Sequence, residues 1–167
     1  KQFYRKVMAT SLFGTRPEMF VLANGSGGNG KGVWHELAST SLGNYYYNAP
    51  CEVLLSEKKS GPSPEIANMK DKRLIVMSEP AQNKRINNSL MKELTGGKNI
   101  AARMCHSNSC EVRLVGTFIM ECNIRPKLQN GTGEGEGRRL IDFPFPSTFT
   151  TKTDILEKNY QYTFKAN

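Results

Sequence analysis

Long apolar runs are missing from this sequence. Nothing in it approaches the roughly 20 consecutive apolar residues that a membrane-spanning helix needs, so no spanning segment is expected. Cysteine is sparse and unpaired: Cys51, Cys105, Cys110 and Cys122 form no pair of C-x-x-C motifs. Cys105-His106-x-x-x-Cys110 has no fourth ligand at an obvious spacing, which argues against a zinc site. Free, mostly buried thiols in a reducing intracellular compartment are the expectation. Acidic residues fall short of basic ones, 15 against 23, for a formal charge of +8. A surplus of that size points to a polyanionic partner, nucleic acid first. The chain shows no internal repeat and no signal peptide, and it opens on Lys1 instead of Met. Its 167 residues read as one domain of a longer protein, large enough to bury a core.

Glycine, by contrast, is concentrated in one place. The apolar run Phe20-Val21-Leu22-Ala23 reads as a buried strand ending at Asn24. The loop Gly25-Ser26-Gly27-Gly28-Asn29-Gly30-Lys31-Gly32 follows, and a helix is expected from about Val33 and Trp34 to about Ser41. Gly25, Gly30 and Lys31 hold the G-x-x-x-x-G-K spacing of a phosphate-binding loop, in its strand–loop–helix setting. Glycines let backbone N–H groups come close to phosphate oxygens. The helix start adds its positive end, and Lys31 supplies a point charge for the outer phosphates. Gly32 stands where Ser or Thr would offer a hydroxyl to Mg²⁺.

The other elements follow from periodicity and punctuation. Residues 1–14 read as a helix with Phe3, Val7 and Leu12 on one face and Gly14 as its stop. Tyr45-Tyr46-Tyr47 reads as a strand after the Gly43-Asn44 break, and Pro64 to Met69 as a short helix. Leu74-Ile75-Val76-Met77 is the clearest buried strand, suited to a parallel sheet covered on both faces. Glu79, just past its carboxyl end, stands where α/β folds place their ligands and is the candidate catalytic acid. Ile86 to Leu94 reads as a helix capped near Asn87 or Asn88 and ended by Gly96-Gly97. Residues 100–104 and 111–115 read as a hairpin with 105–110 at its tip, made basic by Lys98, Arg103 and Arg113. Thr117 to Cys122 reads as a strand with Asn123 at its end. Residues 126–137 read as a flexible loop, Leu140 to Phe143 as a strand, and Ile155 and Leu156 as part of a short helix.

Five segments, GSGGNGKG, RLIVMSEP, LMKELTGGKNIAARM, FIMECNIRP and GRRLIDFPF, stand in that order across residues 25–145. Together they resemble the ATPase domain of superfamily 3 helicases, as in the primase–helicases of poxvirus-like large DNA viruses, phages and satellite phages. The resemblance implies an α/β fold of the AAA+-like P-loop NTPase kind: a central parallel sheet flanked by helices, plus a β-hairpin insertion. It implies a hexameric ring on single-stranded DNA, ATP and Mg²⁺, and a fused or associated primase domain. It also implies a place in the host cell cytoplasm, at a viral replication site, or in the nucleus.

The implied roles carry over residue by residue. Backbone from Gly25 to Val33 surrounds the phosphates, and Lys31 matches the phosphate-loop lysine. Glu79 matches the acid that orients the attacking water and the metal. Many relatives have two adjacent acids there, whereas this chain has Ser78-Glu79. With Gly32 also lacking a hydroxyl, Mg²⁺ is expected to be held largely by phosphates and waters, Glu79 reaching it through water. Asn123 matches the residue that senses the γ-phosphate. Arg138 or Arg139 matches an arginine finger serving the neighbouring subunit's site. Lys98, Arg103, His106, Ser107 and Asn108 match the DNA-gripping hairpin, with His106 where relatives often carry lysine. Two other classes stay open: a small-molecule kinase, for whose lid and acceptor site nothing speaks, and a nucleic-acid-binding module with a decayed ATPase site, to which Gly32 and Ser78 leave room.

Overall fold

The computed structural model describes residues 2–15, 17–55, 63–81, 84–104, 110–153 and 163–165. In chain order the first half holds α1 (Gln2–Phe13), β1 (Phe20–Asn24), α2 (Lys31–Leu42), β2 (Tyr46–Ala49), α3 (Glu52–Leu55), α4 (Pro64–Ala67) and β3 (Leu74–Met77). The second half holds β4 (Arg85–Ile86), α5 (Asn88–Thr95), β5 (Ile100–Ala102), β6 (Cys110–Val112), β7 (Thr117–Cys122), β8 (Lys127–Leu128), α6 (Glu134–Gly137), β9 (Leu140–Pro144), β10 (Thr148–Thr150) and β11 (Thr163–Lys165). Five strands form one sheet in the order β2-β3-β7-β1-β9, every pair parallel. A parallel sheet must be covered on both faces, because its crossovers run over them. Strand residues alternate sides, so each strand feeds two cores. Phe20, Leu22, Ile75, Met77, Phe118 and Met120 face a core shared with Leu54 of α3, Leu90, Met91 and Leu94 of α5, and the β5–β6 hairpin. Val21, Ala23, Leu74, Val76 and Ile119 face the other, against Tyr4 and Val7 of α1 and Ala38 of α2.

The α/β architecture and the apolar strands agree with the sequence reading; several details do not. Helix α1 buries Tyr4, Val7 and Ser11, whereas Phe3 and Leu12 are 38% and 53% exposed. The helix is turned by an aromatic cluster: the Tyr4 ring stacks on Phe143 at 4.8 Å and meets Trp34 edge-on at 4.4 Å. Helix α2 begins at Lys31, two residues ahead of the expected Val33, because Gly30 at φ 83° supplies a left-handed entry that other residues take up only at a cost. Tyr45 lies in a 3₁₀ turn before β2, its ring under the Arg73 guanidinium at 4.2 Å. Ile86, expected in a helix, lies in β4 and is fully buried; α5 begins after Asn87, whose side-chain oxygen accepts from the Leu90 N–H at 3.0 Å. Residues 126–137 are not a plain loop, since they carry β8 and α6. The apolar Leu128 draws β8 into the ladder with β4, and Glu136 anchors α6. The Glu136 carboxylate pairs with Lys92 at 2.9 Å and accepts from Asn88 at 3.2 Å. These two partners, with a backbone hydrogen bond, hold its pKa down to about 2. Past residue 147, β10 and β11 form a parallel pair that the sequence did not announce. The helix expected near Ile155 and Leu156 lies outside the described residues.

Candidate functional site at the carboxyl edge of the sheet

All five sheet strands run the same way, so their carboxyl ends share one edge. Three adjacent strands deliver the site. Strand β1 leads into the glycine-rich loop, β7 ends at Asn123, and β3 ends just before Ser78 and Glu79. The loop's first residue continues the ladder, with Gly25 N–H donating to Cys122 O at 3.1 Å. Gly25 has no room for a side chain: a Cβ there would stand 2.5 Å from Phe145 O and 2.7 Å from Asn29 Nδ2. The loop then turns back into α2, where Asn29 Oδ1 accepts from Lys31 N–H at 3.3 Å.

Lys31 is 7% exposed. Its Nζ donates to Gly25 O and, at 3.3 Å, to Asn123 Oδ1. Asn123 is clasped in turn by Glu79: its backbone N–H and side-chain Nδ2 donate to the two carboxylate oxygens at 2.8 and 2.7 Å. Ile124 N–H adds a longer contact of 3.4 Å. The loop, Glu79 and Asn123 border a cleft of about 410 Å³. A buried amine, the open N-terminal turn of a 12-residue helix and an amide donor at Asn29 Nδ2 with no partner among the described residues all favour an anionic ligand.

A further carboxylate at this cleft, and a buried histidine behind it, escaped the sequence reading. Glu121 borders the cleft as a second carboxylate. Alternation along β7 turns it to the α2 side of the sheet, beside Ala23 of β1. There His35, one helical turn beyond Lys31, meets it at 2.6 Å from Nδ1 to Oε1. The Tyr4 hydroxyl lies 3.5 Å from His35 Nε2. Burial first, and the Glu121 charge second, push the Tyr4 pKa up, so the hydroxyl keeps its proton. The protonated hydroxyl can donate to His35 Nε2, while His35 Nδ1 approaches Glu121 without the alignment of a hydrogen bond. The available signal was positional: His35 stands four residues after Lys31 and Glu121 two before Asn123. Cys122 points into the opposite core, and burial, aided by Asp142, pushes its thiol up to about 11.

The remaining expected residues sit elsewhere. Lys98 and Arg103 are exposed at the β5–β6 hairpin, and His106, Ser107 and Asn108 lie outside the described residues. Arg138 and Arg139 precede β9, at the amino edge of the sheet. Leu140 pairs with Phe20, so they stand a strand length of about 16 Å from their own glycine loop. Arg139 is 7% exposed and donates to Gly135 O at 2.9 Å and to Glu18 at 3.2 Å. Arg138 has a 65% exposed side chain and only a 3.6 Å contact with Glu18. Among the described residues no group of three or more His, Cys, Asp or Glu could hold a metal ion.

The chain is 32% identical over 163 residues to a protein of Acanthamoeba polyphaga mimivirus named "Putative helicase L207/L206", covering 95% of this chain and 17% of that one. It is 26% identical over 171 residues to "Primase D5" of fowlpox virus, covering 97% and 21%. It therefore spans about a fifth of the length of these relatives. The fold matches the apo NrS-1 C-terminal region with a TM-score of 0.64 at 14% identity, over 87% of this chain and 34% of that one. Residues 23–139, from the end of β1 to just before β9, match one family, and the chain belongs to it: the family of unknown function DUF5906.

Proposed function

We propose that this chain is the ATP-hydrolysing motor domain of a viral primase–helicase, working on single-stranded DNA in a hexameric ring. The observation that carries the reading is the convergence of Lys31, Asn123 and Glu79 from three adjacent strand ends beside a glycine loop. In that reading Lys31 exchanges its Gly25 and Asn123 partners for the outer phosphates of ATP. Asn123, released, donates to the γ-phosphate. Glu79, released by Asn123, orients the attacking water. Mg²⁺ would supply charge neutralisation of the phosphates. Among the described residues Glu79 and Glu121 are the carboxylates bordering the cleft, and with Gly32 offering no hydroxyl both would reach the ion through water.

Arg138, exposed and loosely held, suits the finger that completes a neighbour's site. Arg139, buried against Glu18 and Gly135, suits a structural role. A finger in trans is typically worth 10³–10⁵ in turnover. The β5–β6 hairpin, with Lys98 and Arg103, faces the DNA strand. A nucleic-acid module without turnover remains the second reading, favoured by Gly32 and Ser78.

The test mixes Lys31→Ala and Arg138→Ala proteins, each inactive alone, in the assembled full-length protein. Mixed rings contain interfaces with an intact loop on one side and an intact finger on the other. Partial recovery of DNA-stimulated ATPase activity is expected. No recovery in rings shown to contain both variants sinks the trans role, and DNA binding without turnover by the unaltered protein favours the second reading.

A further inference from the structure

A second cleft, of about 280 Å³, opens beyond the carboxyl ends of β3 and β7. Among the described residues it shares only Glu79 with the glycine-loop cleft. Four cations border it: Lys84, Arg85, Arg125 and Lys127. The one carboxylate among its described lining residues, Glu79, already accepts at both oxygens from Asn123 and Ile124. Arg125 reaches Asp142 at 3.3 Å, but Lys84, Arg85 and Lys127 have no ion pair among the described residues.

The crowding of charge is imposed by the chain's own pattern. Strands β4 and β8 pair with Ile86 opposite Leu128 and Arg85 opposite Lys127. Ile86 and Leu128 are 0% and 9% exposed, so alternation turns the two cations outward side by side. Like charges directly opposed weaken a strand pair. An anion between them would relieve that repulsion.

We propose that this cleft binds the phosphodiester backbone of a single-stranded nucleic acid, with Lys84, Arg85 and Lys127 as its phosphate contacts. The +8 net charge of the chain favours a polyanion. Among the described residues no aromatic ring borders the cleft, so they offer no base-stacking platform and recognition runs through the backbone, independent of sequence. Ile124, 67% exposed at the rim, offers an apolar surface to sugars. The phosphates of a free nucleotide have a separate place, because the glycine loop and the start of α2 border only the other cleft. The segment bearing Arg125 and Lys127 continues directly from Asn123, which sets the bound strand beside the Glu79 clasp.

The experiment measures binding of a labelled oligo-dT of about 20 nucleotides, longer than a typical single-strand site, to the full chain by fluorescence anisotropy across a salt series. Nucleotide is absent, so the outcome does not depend on whether the chain hydrolyses ATP. The Lys84→Ala, Lys127→Ala double variant is expected to bind several-fold more weakly, with the salt slope reduced by about 1.4, at roughly 0.7 per lost contact on a single strand. Lys84→Arg with Lys127→Arg should restore both. Binding of an ATP analogue and the melting temperature should not fall, since both lysines are exposed. Unchanged affinity and slope in the folded double variant would overturn the proposal. So would loss of ATP-analogue binding, which would assign the cleft to the nucleotide. Displacement of oligo-dT by polyglutamate as effective as by unlabelled oligo-dT would also overturn it, in favour of an acidic protein partner.

Discussion

The two edges of the sheet treat their polar groups in opposite ways. At the carboxyl edge, Glu79 and Asn123 are exposed and satisfy each other and Lys31 across a cleft. Exposed hydrogen bonds exchange partners with water or a ligand at little net cost. At the amino edge, Glu136 and Arg139 are buried, and each is held by more than one partner: Lys92 and Asn88 for the first, Glu18 and Gly135 for the second. Losing a buried partner leaves an orphaned charge, so these contacts persist. A ligand can compete at the first edge; the second supports the scaffold. Arg138 is the exception at the amino edge, since its guanidinium is mostly solvent-exposed.

The contrast is broken most severely at Lys31. Lys31→Ala in the full-length protein should lower ATP turnover by about 10²–10³, the usual cost of removing one preorganised donor, with an unchanged circular dichroism spectrum. Glu79→Gln should keep nucleotide binding and lose turnover, because the new side chain still accepts from Asn123 but orients water poorly. Normal turnover in either variant would strip the carboxyl edge of its assigned chemistry. A smaller effect separates the two arginines. By urea denaturation, Arg139→Ala should cost about 1–3 kcal/mol of stability, from a broken buried network, while Arg138→Ala should stay within about 0.5 kcal/mol. The reverse ranking would mean that Arg138 holds the scaffold.

The smallest effect is a pH dependence. The folded-state pKa of Glu136 is depressed from 4.5 to about 2, so its contribution is complete above about 4.5 and is lost as pH falls toward 2. The melting temperature should fall across that window, and fall less in Glu136→Gln. Equal slopes in the two proteins would show that the Lys92–Asn88–Glu136 group does not stabilise the amino edge.

Much of the candidate site was legible along the chain. Lys31, Glu79 and Asn123 each come after a largely apolar run, and all three runs are strands of one sheet. The Asn87 cap and the Gly14 stop were legible too, because capping is a matter of a few adjacent residues. The β8 and α6 segments were not. Their glycines and polar residues suggested flexibility, and only distant partners order them: Ile86 for Leu128, and Asn88 and Lys92 for Glu136. Of the face expected for α1, Val7 is buried, but Tyr4 and Ser11 take the places of Phe3 and Leu12, because the helix angle is set by Phe143 and Trp34.

The sequence by itself determined the elements whose causes are local. These are the buried strands, the tight glycine turn into α2, the helix caps and the charge surplus, each set by neighbours within a turn or two. Only the tertiary structure decided which of them meet. Insertion of β7 between β1 and β3 puts Asn123 within reach of both Lys31, 92 residues away, and Glu79, 44 residues away. The same packing brought Glu121 under His35 and carried Arg138 and Arg139 to the far edge. Local periodicity says which face a residue occupies. Strand order, set by how two cores close over both faces of the sheet, says what that face touches.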